Sequence, residues 1–191
     1  MCRAYREILV SALHKKVIQI FVKKWKRVVI RPFQGDLAVE AGSTRARFSR
    51  TTGTISFLSM NGRTILSDSE DGIVRGPRLT CMRALTDNDK WLRKDMYDSG
   101  LTQLRYHVRE LGTLDEKGAV RAVVEVNGAK SAGFLHETEY IFSDDGALEV
   151  RNVVRPFGKM PPALPRLGLS LMLAPGLERV EWYGRGPTRT T

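Results

Sequence analysis

The sequence predicts an all-β protein, an antiparallel β-sandwich with one short helix. Apolar residues recur at every second position along much of the chain, as they do in strands that bury one face. Turn dipeptides interrupt this alternation at short intervals. Asn61-Gly62 is the strongest of them, because a type I′ hairpin turn needs positive φ at both central residues. Many strands and a single helical segment fit two packed sheets.

The first predicted element is a meander of three strands over residues 46–66. Apolar and polar residues alternate there, and the turns at 52–53 and 61–62 divide it. Further strands are predicted at residues 101–110, 120–127, 134–142, 148–154, 167–173 and 180–183. A turn at Asp144-Asp145-Gly146 precedes one of them, and four prolines within residues 156–165 indicate a loop before another.

The one helix is predicted near residues 88–99. Asp87 or Asn88 can accept a hydrogen bond from the free amides of its first turn. Gly100 is placed to end it, because glycine readily adopts the left-handed conformation that follows many helices.

Charge divides the chain into two predicted segments. The net charge is +10, but residues 1–31 hold nine Lys or Arg against one Glu, which leaves +2 for the other 160 residues. We predict a basic arm at residues 1–31 and a sandwich domain at residues 32–191. The near-neutral domain gives no reason to expect a specific nucleic-acid partner. The arm around Trp25 suits an anionic membrane surface or a nucleic-acid backbone, but we favour a segment without function, and binding that moderate salt abolished would be only non-specific attraction.

The N-terminal apolar runs are too short for a secretion signal or a membrane span. Residues 8–13 and 17–22 are too short for a signal peptide or a transmembrane helix, so we expect a cytoplasmic protein. Cys2 and Cys81 lie far apart and lack a Cys-x-x-Cys or histidine partner at metal-ligand spacing. Neither a disulfide framework nor a metal site is predicted.

Short motifs are the most specific features of the chain. Residues 76–79 read Gly-Pro-Arg-Leu, and residues 83–89 read Arg-Ala-Leu-Thr-Asp-Asn-Asp. Residues 165–169 read Pro-Arg-Leu-Gly-Leu, and residues 182–187 read Trp-Tyr-Gly-Arg-Gly-Pro. In this order, over roughly residues 36–187, they resemble the C-terminal small-chain domain of the β-galactosidases of glycoside hydrolase family 2. Leu85 stands where that family usually has Pro, and the family's domain continues beyond the position of Thr191.

The resemblance implies a galactose mutarotase-like β-supersandwich, incomplete at its C-terminus. It also implies a part in the retaining hydrolysis of terminal non-reducing β-D-galactose residues in β-D-galactosides. The family's acid and nucleophile are glutamates on a separate TIM barrel, which often uses Mg and Na ions. We therefore expect no catalytic residue and no cofactor in this chain. The chain should be inactive alone and should act with a large catalytic chain or barrel, in a partner-dependent or oligomeric assembly.

The same resemblance identifies candidate site residues. In the family, the loop after Asp-Asn-Asp approaches the active-site entrance, which makes Asp87, Asn88, Asp89 and Trp91 the candidates for binding substrate. Helix capping explains the acids as well, and a core position explains the tryptophan as well. Six residues are predicted to be structural, with Arg166 buried and paired to an acid of residues 87–89: Arg83, Thr86, Arg166, Gly184, Arg185 and Gly186.

Other carboxylates do not form a convincing catalytic pair. A retaining glycosidase needs two carboxyl groups about 5 Å apart. Asp95 and Asp98 are expected to face solvent. Glu137 and Glu139 are two residues apart on a predicted strand, so they share one face of the sheet, and a solvated face explains them.

Two other functions fit parts of the sequence. A mutarotase-like sugar epimerase would pair a histidine with a glutamate for proton transfer. His136 and Glu137 are strand neighbours and point to opposite faces, which leaves His107 with Glu137 or Glu139. A non-catalytic carbohydrate-binding module would need no such pair. Whatever its function, an incomplete sandwich exposes strand edges, which predicts aggregation or dependence on a partner.

Overall fold

Two antiparallel sheets packed face to face, together with a two-stranded ribbon, make up the structure, a computed structural model that describes residues 28–67, 73–114, 118–179 and 181. The first sheet is a meander of β1 (Val29–Phe33), β2 (Asp36–Ala41), β3 (Thr44–Ser49), β4 (Thr54–Met60) and β5 (Arg63–Leu66). Next come β6 (Arg78–Thr80), a 3₁₀ turn (Asp87–Asp89) and helix α1 (Lys90–Ser99). The second sheet contains β7 (Leu104–Leu114), β8 (Ala119–Gly128), β9 (Gly133–Phe142) and β10 (Leu148–Phe157), in the order β10-β9-β8-β7. Last, β11 (Gly168–Ser170) pairs with β6. The predicted all-β antiparallel sandwich with one short helix is confirmed.

The main core lies between the two sheets. Phe48 of the first sheet is fully buried, and its ring centroid lies 4.9 Å from that of Tyr140 in the second sheet. The Phe142 ring stands edge-on to Phe48 at 6.1 Å. Alternation places Val120 and Ala122 of β8 on this same inner face. The apolar period of two therefore corresponds to the interface that joins the layers.

A second core continues along the inner face of the four-stranded sheet. Val126 and Phe134 pack there against Leu92 and Met96, which are the buried apolar residues of α1. Leu79, from β6, belongs to the same cluster. The helix and the short β6–β11 ribbon thus cover the end of the sheet that the five-stranded sheet does not reach, and this packing fixes the position of the segment before α1.

The hairpin turns show which sequence signals were sufficient to predict a turn. Asn61 and Gly62 have φ of 53° and 77°, as a type I′ turn requires. The turn between β1 and β2 has the same signs, with φ of 48° at Gln34 and 87° at Gly35, but it was not predicted because Gln is not a characteristic turn residue. Strand β1 begins at Val29, within the segment predicted as a basic arm.

Most predicted strands agree with the structure within a few residues. Strands β1, β2 and β6 were missed, and the strand predicted at residues 167–173 is reduced to the three residues of β11. Most of the strand predicted at residues 180–183, and most of the predicted arm, lie outside the described residues. No helix among the described residues is long and apolar enough to cross a membrane.

Replacing Gly100 with Ala is expected to lower the free energy of unfolding by about 1–3 kcal/mol. Gly100 ends α1 in the left-handed region at φ 79°, as predicted, and a Cβ there would lie 2.4 Å from the Lys130 amide nitrogen. Gly62→Ala is the matched control, since φ is 77° and no atom lies within 4 Å of the added Cβ. Chemical denaturation of both variants should show a larger loss for Gly100→Ala. Equal losses would mean that backbone strain alone matters.

Candidate functional site

A bidentate ion pair organises the segment between β6 and α1. Arg83 donates from Nη1 to Asp89 Oδ2 at 2.7 Å and from Nη2 to Oδ1 at 3.0 Å. The planar guanidinium matches the carboxylate in this arrangement, so the pair fixes direction as well as distance. The Asp89 side chain is 15% exposed, against 40% for Arg83. The ion pair therefore joins the beginning of this segment to its last residue, directly before α1.

The Asp89 carboxylate is also bonded to the backbone that precedes it. Oδ2 accepts hydrogen bonds from the Thr86 amide and the Thr86 hydroxyl, each at 2.8 Å. Hydrogen bonds from Arg83, followed by those from Thr86, lower the pKa of Asp89 from 3.8 to about 2. Thr86, and not the predicted Asp87 or Asn88, is therefore the N-cap of this turn, and Asp89 is its third residue, whose carboxylate bonds back to the Thr86 amide and is charged at neutral pH.

Arg83 also connects this segment to the loop before β11. Its Nε donates to the Pro165 carbonyl at 3.1 Å. The prediction that Arg166 is buried and paired to an acid of residues 87–89 is wrong, because Arg166 is exposed and Arg83 holds the Asp89 carboxylate. The expected link between the two motifs exists, but it runs from Arg83 to a backbone oxygen.

Three candidate residues face solvent beside this ion pair. The Asp87 side chain is 92% exposed and pairs with Lys90 at 3.1 Å, and Asn88 is exposed as well. Trp91 is 63% exposed, which contradicts the alternative that it is a core residue. Leu92 and Met96 anchor the helix below. The exposed surface at the start of α1 therefore includes a carboxylate, an amide and an indole face, groups that can bind sugar hydroxyls and C–H groups.

A polar cluster that the sequence did not reveal lies between the two cores, where the buried His136 and Thr138 contact the exposed Asn152. His136 Nε2 lies 2.9 Å from Asn152 Oδ1 and 3.1 Å from Thr138 Oγ1. Burial lowers the pKa of His136, opposed by its hydrogen bond to Asn152. The adjoining cavity has a volume of about 10 Å³, near the minimum for one water molecule. A sugar cannot enter it, so this cluster stabilises the sandwich.

The histidine and glutamate pairs of an epimerase are not assembled. His136 points inward, whereas Glu137 is on the outer face, bonded to Arg121 at 3.0 Å and to Arg155. Hydrogen bonds from these two arginines lower the pKa of Glu137. His107 is exposed and lies opposite Glu125 in the neighbouring strand. The outer face of the second sheet thus carries a network of ion pairs, as expected for a face in contact with solvent.

Two further points concern a possible metal site and the last sequence motif. No group of three or more His, Cys, Asp or Glu within the described ranges is arranged to hold a metal ion. The motif residues Gly184, Arg185 and Gly186 lie outside those ranges.

Comparison with known proteins agrees with the motifs. A family model described as the β-galactosidase small chain matches residues 40–190. A β-galactosidase of Vibrio cholerae serotype O1 is 27% identical over 163 residues, which covers 78% of this chain and 15% of that protein. The chain therefore spans about 15% of the length of this relative.

Proposed function

The chain belongs to the β-galactosidase small chain family, and from that premise we propose that it supplies the non-catalytic C-terminal sandwich of a β-galactosidase. The reaction is hydrolysis of terminal non-reducing β-D-galactose residues in β-D-galactosides with retention at the anomeric carbon. Such a reaction needs an acid and a nucleophile about 5 Å apart. We assign both to the barrel of a larger chain or region, because Asp89 is bonded to Arg83 and Thr86, Asp87 is exposed and Glu137 is paired with two arginines.

The exposed surface beside the Arg83–Asp89 ion pair supports this proposal. Trp91 offers an indole face for the C–H face of a galactose ring, while Asp87 and Asn88 offer hydrogen-bonding groups for its hydroxyls. Asp89 is a positioning residue in this scheme, since both of its oxygens are bonded to Arg83. The chain would help to close the sugar site and would carry out no bond cleavage.

Complementation tests the proposal directly. The purified chain is assayed with a chromogenic β-galactoside, alone and mixed with a barrel-containing large chain from a related β-galactosidase. Activity only in the mixture is the expected result. Activity of the chain alone would contradict the assignment of the catalytic carboxylates to another chain. Inactivity in both cases, together with calorimetric binding of a galactoside, would favour the carbohydrate-binding module instead.

Trp91→Ala is expected to raise the KM of the complemented enzyme about tenfold, which corresponds to roughly 1.4 kcal/mol of lost stacking. Stability should change by no more than about 0.5 kcal/mol, because the side chain is exposed. Tyr97→Ala is the matched control, an aromatic residue on the same helix that is 60% exposed and lies on a different side. Steady-state kinetics of both variants would contradict the assignment if Tyr97→Ala raised the KM as much.

A further inference from the structure

Strand β10 leaves one long edge of the second sheet open. It pairs with β9 along its whole length, from Leu148 opposite Phe142 to Phe157 opposite Gly133. Within the described ranges no strand pairs with its other edge, and β10 is the last strand in its sheet. A ten-residue edge whose outward backbone groups have no strand partner among the described residues is a template for another strand.

Apolar side chains are exposed on both faces of this edge strand. Val150, on the inner face, is 38% exposed, although its β9 neighbour Tyr140 is 1% exposed. On the outer face Val153 is 47% exposed. The cover of the sandwich therefore stops short of β10, and an added strand would shield apolar surface as well as backbone groups.

The charges of β10 make the strand complementary to itself. Glu149 and Arg155 lie on the outer face, three residues on either side of Asn152, and within one copy they bond Arg151 and Glu137, so each would share its charge with a second partner in the dimer. If two copies pair antiparallel about a two-fold axis at Asn152, each Glu149 stands directly opposite the partner copy's Arg155, giving two such pairs. Directly opposed opposite charges stabilise an antiparallel pair, and like charges destabilise it.

Neighbouring registers lack this match. An axis moved one residue earlier would place Arg151 opposite the same residue of the other copy. An axis moved one residue later would place Arg151 opposite Arg155. Each of these two shifted registers therefore places like charges directly opposite each other, whereas the register centred on Asn152 places opposite charges there. Charge therefore selects one arrangement among those that keep each side chain on its own face.

We propose that the β10 edge is a self-association surface, where two copies of this chain join their second sheets in antiparallel register about Asn152. The result is a two-fold dimer with one continuous eight-stranded sheet, an isologous contact in which the same residues serve both copies. This inference rests on the sheet edge alone and does not depend on the proposed function.

Charge reversal tests the register. Glu149→Arg or Arg155→Glu alone places like charges opposite each other twice, and the dimer dissociation constant should rise about tenfold or more. The double variant Glu149→Arg/Arg155→Glu exchanges the charges and should restore the dimer. Analytical ultracentrifugation of the 191-residue chain over a concentration series measures each constant, and thermal melting verifies that each variant is folded.

Two controls separate this contact from general charge effects. Lys94→Glu reverses a charge of the Lys94–Asp98 pair on α1 and should leave the dimer unchanged. Arg151→Gln lies on the same strand and face, opposite Val153 of the other copy, and should have the smaller effect although it removes the pair with Glu149. A monomer at every concentration would overturn the proposal. So would a dimer indifferent to both single reversals, or a folded double variant that stays monomeric.

Discussion

Replacing Phe48 with Ala is expected to lower the free energy of unfolding by about 3–5 kcal/mol. The side chain is fully buried between the two sheets and contacts both Tyr140 and Phe142 edge-on. Its removal leaves a cavity where the layers meet and also loses two aromatic contacts. Because a folded domain is stable by only about 5–15 kcal/mol, this one change removes a large share of the total.

Chemical denaturation of the variant and of Phe33→Ala checks this expectation. Phe33 lies on the edge strand β1 and is 36% exposed, so the same substitution removes the same atoms from a half-open site. We expect a loss of about 1 kcal/mol there, mainly from its contact with Arg47. If the two variants lost equal stability, the interface around Phe48 would not be the main core.

The sequence predicted the sheets well wherever alternation and turn chemistry agreed. The Asn61-Gly62 hairpin and the long strands β8 and β9 have both signals, and they were placed within a residue or two. Strand β1 has Arg31 and Pro32 within it and a Gln at its turn, so neither signal was present. It forms because β2 offers it a partner, and a tertiary contact of this kind leaves no local pattern.

The candidate site was predicted in kind but not in detail. The sequence indicated that Arg166, in the loop that contains Pro165, pairs with an acid of residues 87–89. The structure assigns this contact to Arg83, six residues from Asp89, and places Arg166 in solvent. Each arginine belongs to one of the two motifs, and the sequence alone does not show which of them reaches the acids. Only the path of the loop decides between them, and this path depends on how β11 pairs with β6.

The exposure of Trp91 likewise could not be predicted from the sequence. A tryptophan on a short helix over a sheet is usually a core residue, and the helix does bury Leu92 and Met96. With Leu92 facing the core, Trp91 lies one residue earlier and about 100° away around the helix axis. The side of the helix that faces inward was therefore the missing information, and it follows from packing against Leu79 and Phe134.

Arg83→Met is expected to lower the activity of the complemented enzyme by up to about 100-fold, because displacement of a positioning segment by about 1 Å can cost that much. Arg83 binds both Asp89 and the Pro165 carbonyl, so its loss releases the segment that presents Trp91. Arg83→Lys should recover only part of the activity, since an ammonium group cannot bond both carboxylate oxygens in plane. Steady-state rates at saturating chain concentration measure the effect.

The same ion pair should give the isolated chain an acid-dependent stability that separates it from a general folding defect. The pKa of Asp89 is about 2 in the folded chain, against an ordinary 3.8, so its stabilising effect is complete above about pH 4 and is lost as the pH falls through 2. Asp89→Asn should therefore melt at a lower temperature than the parent chain at pH 6, and the two midpoints should converge near pH 2. Asp87→Asn is the matched control, because its carboxylate is 92% exposed and should make little difference at either pH. A deficit of Asp89→Asn that persisted unchanged at pH 2 would show that the charged pair with Arg83 is not its cause.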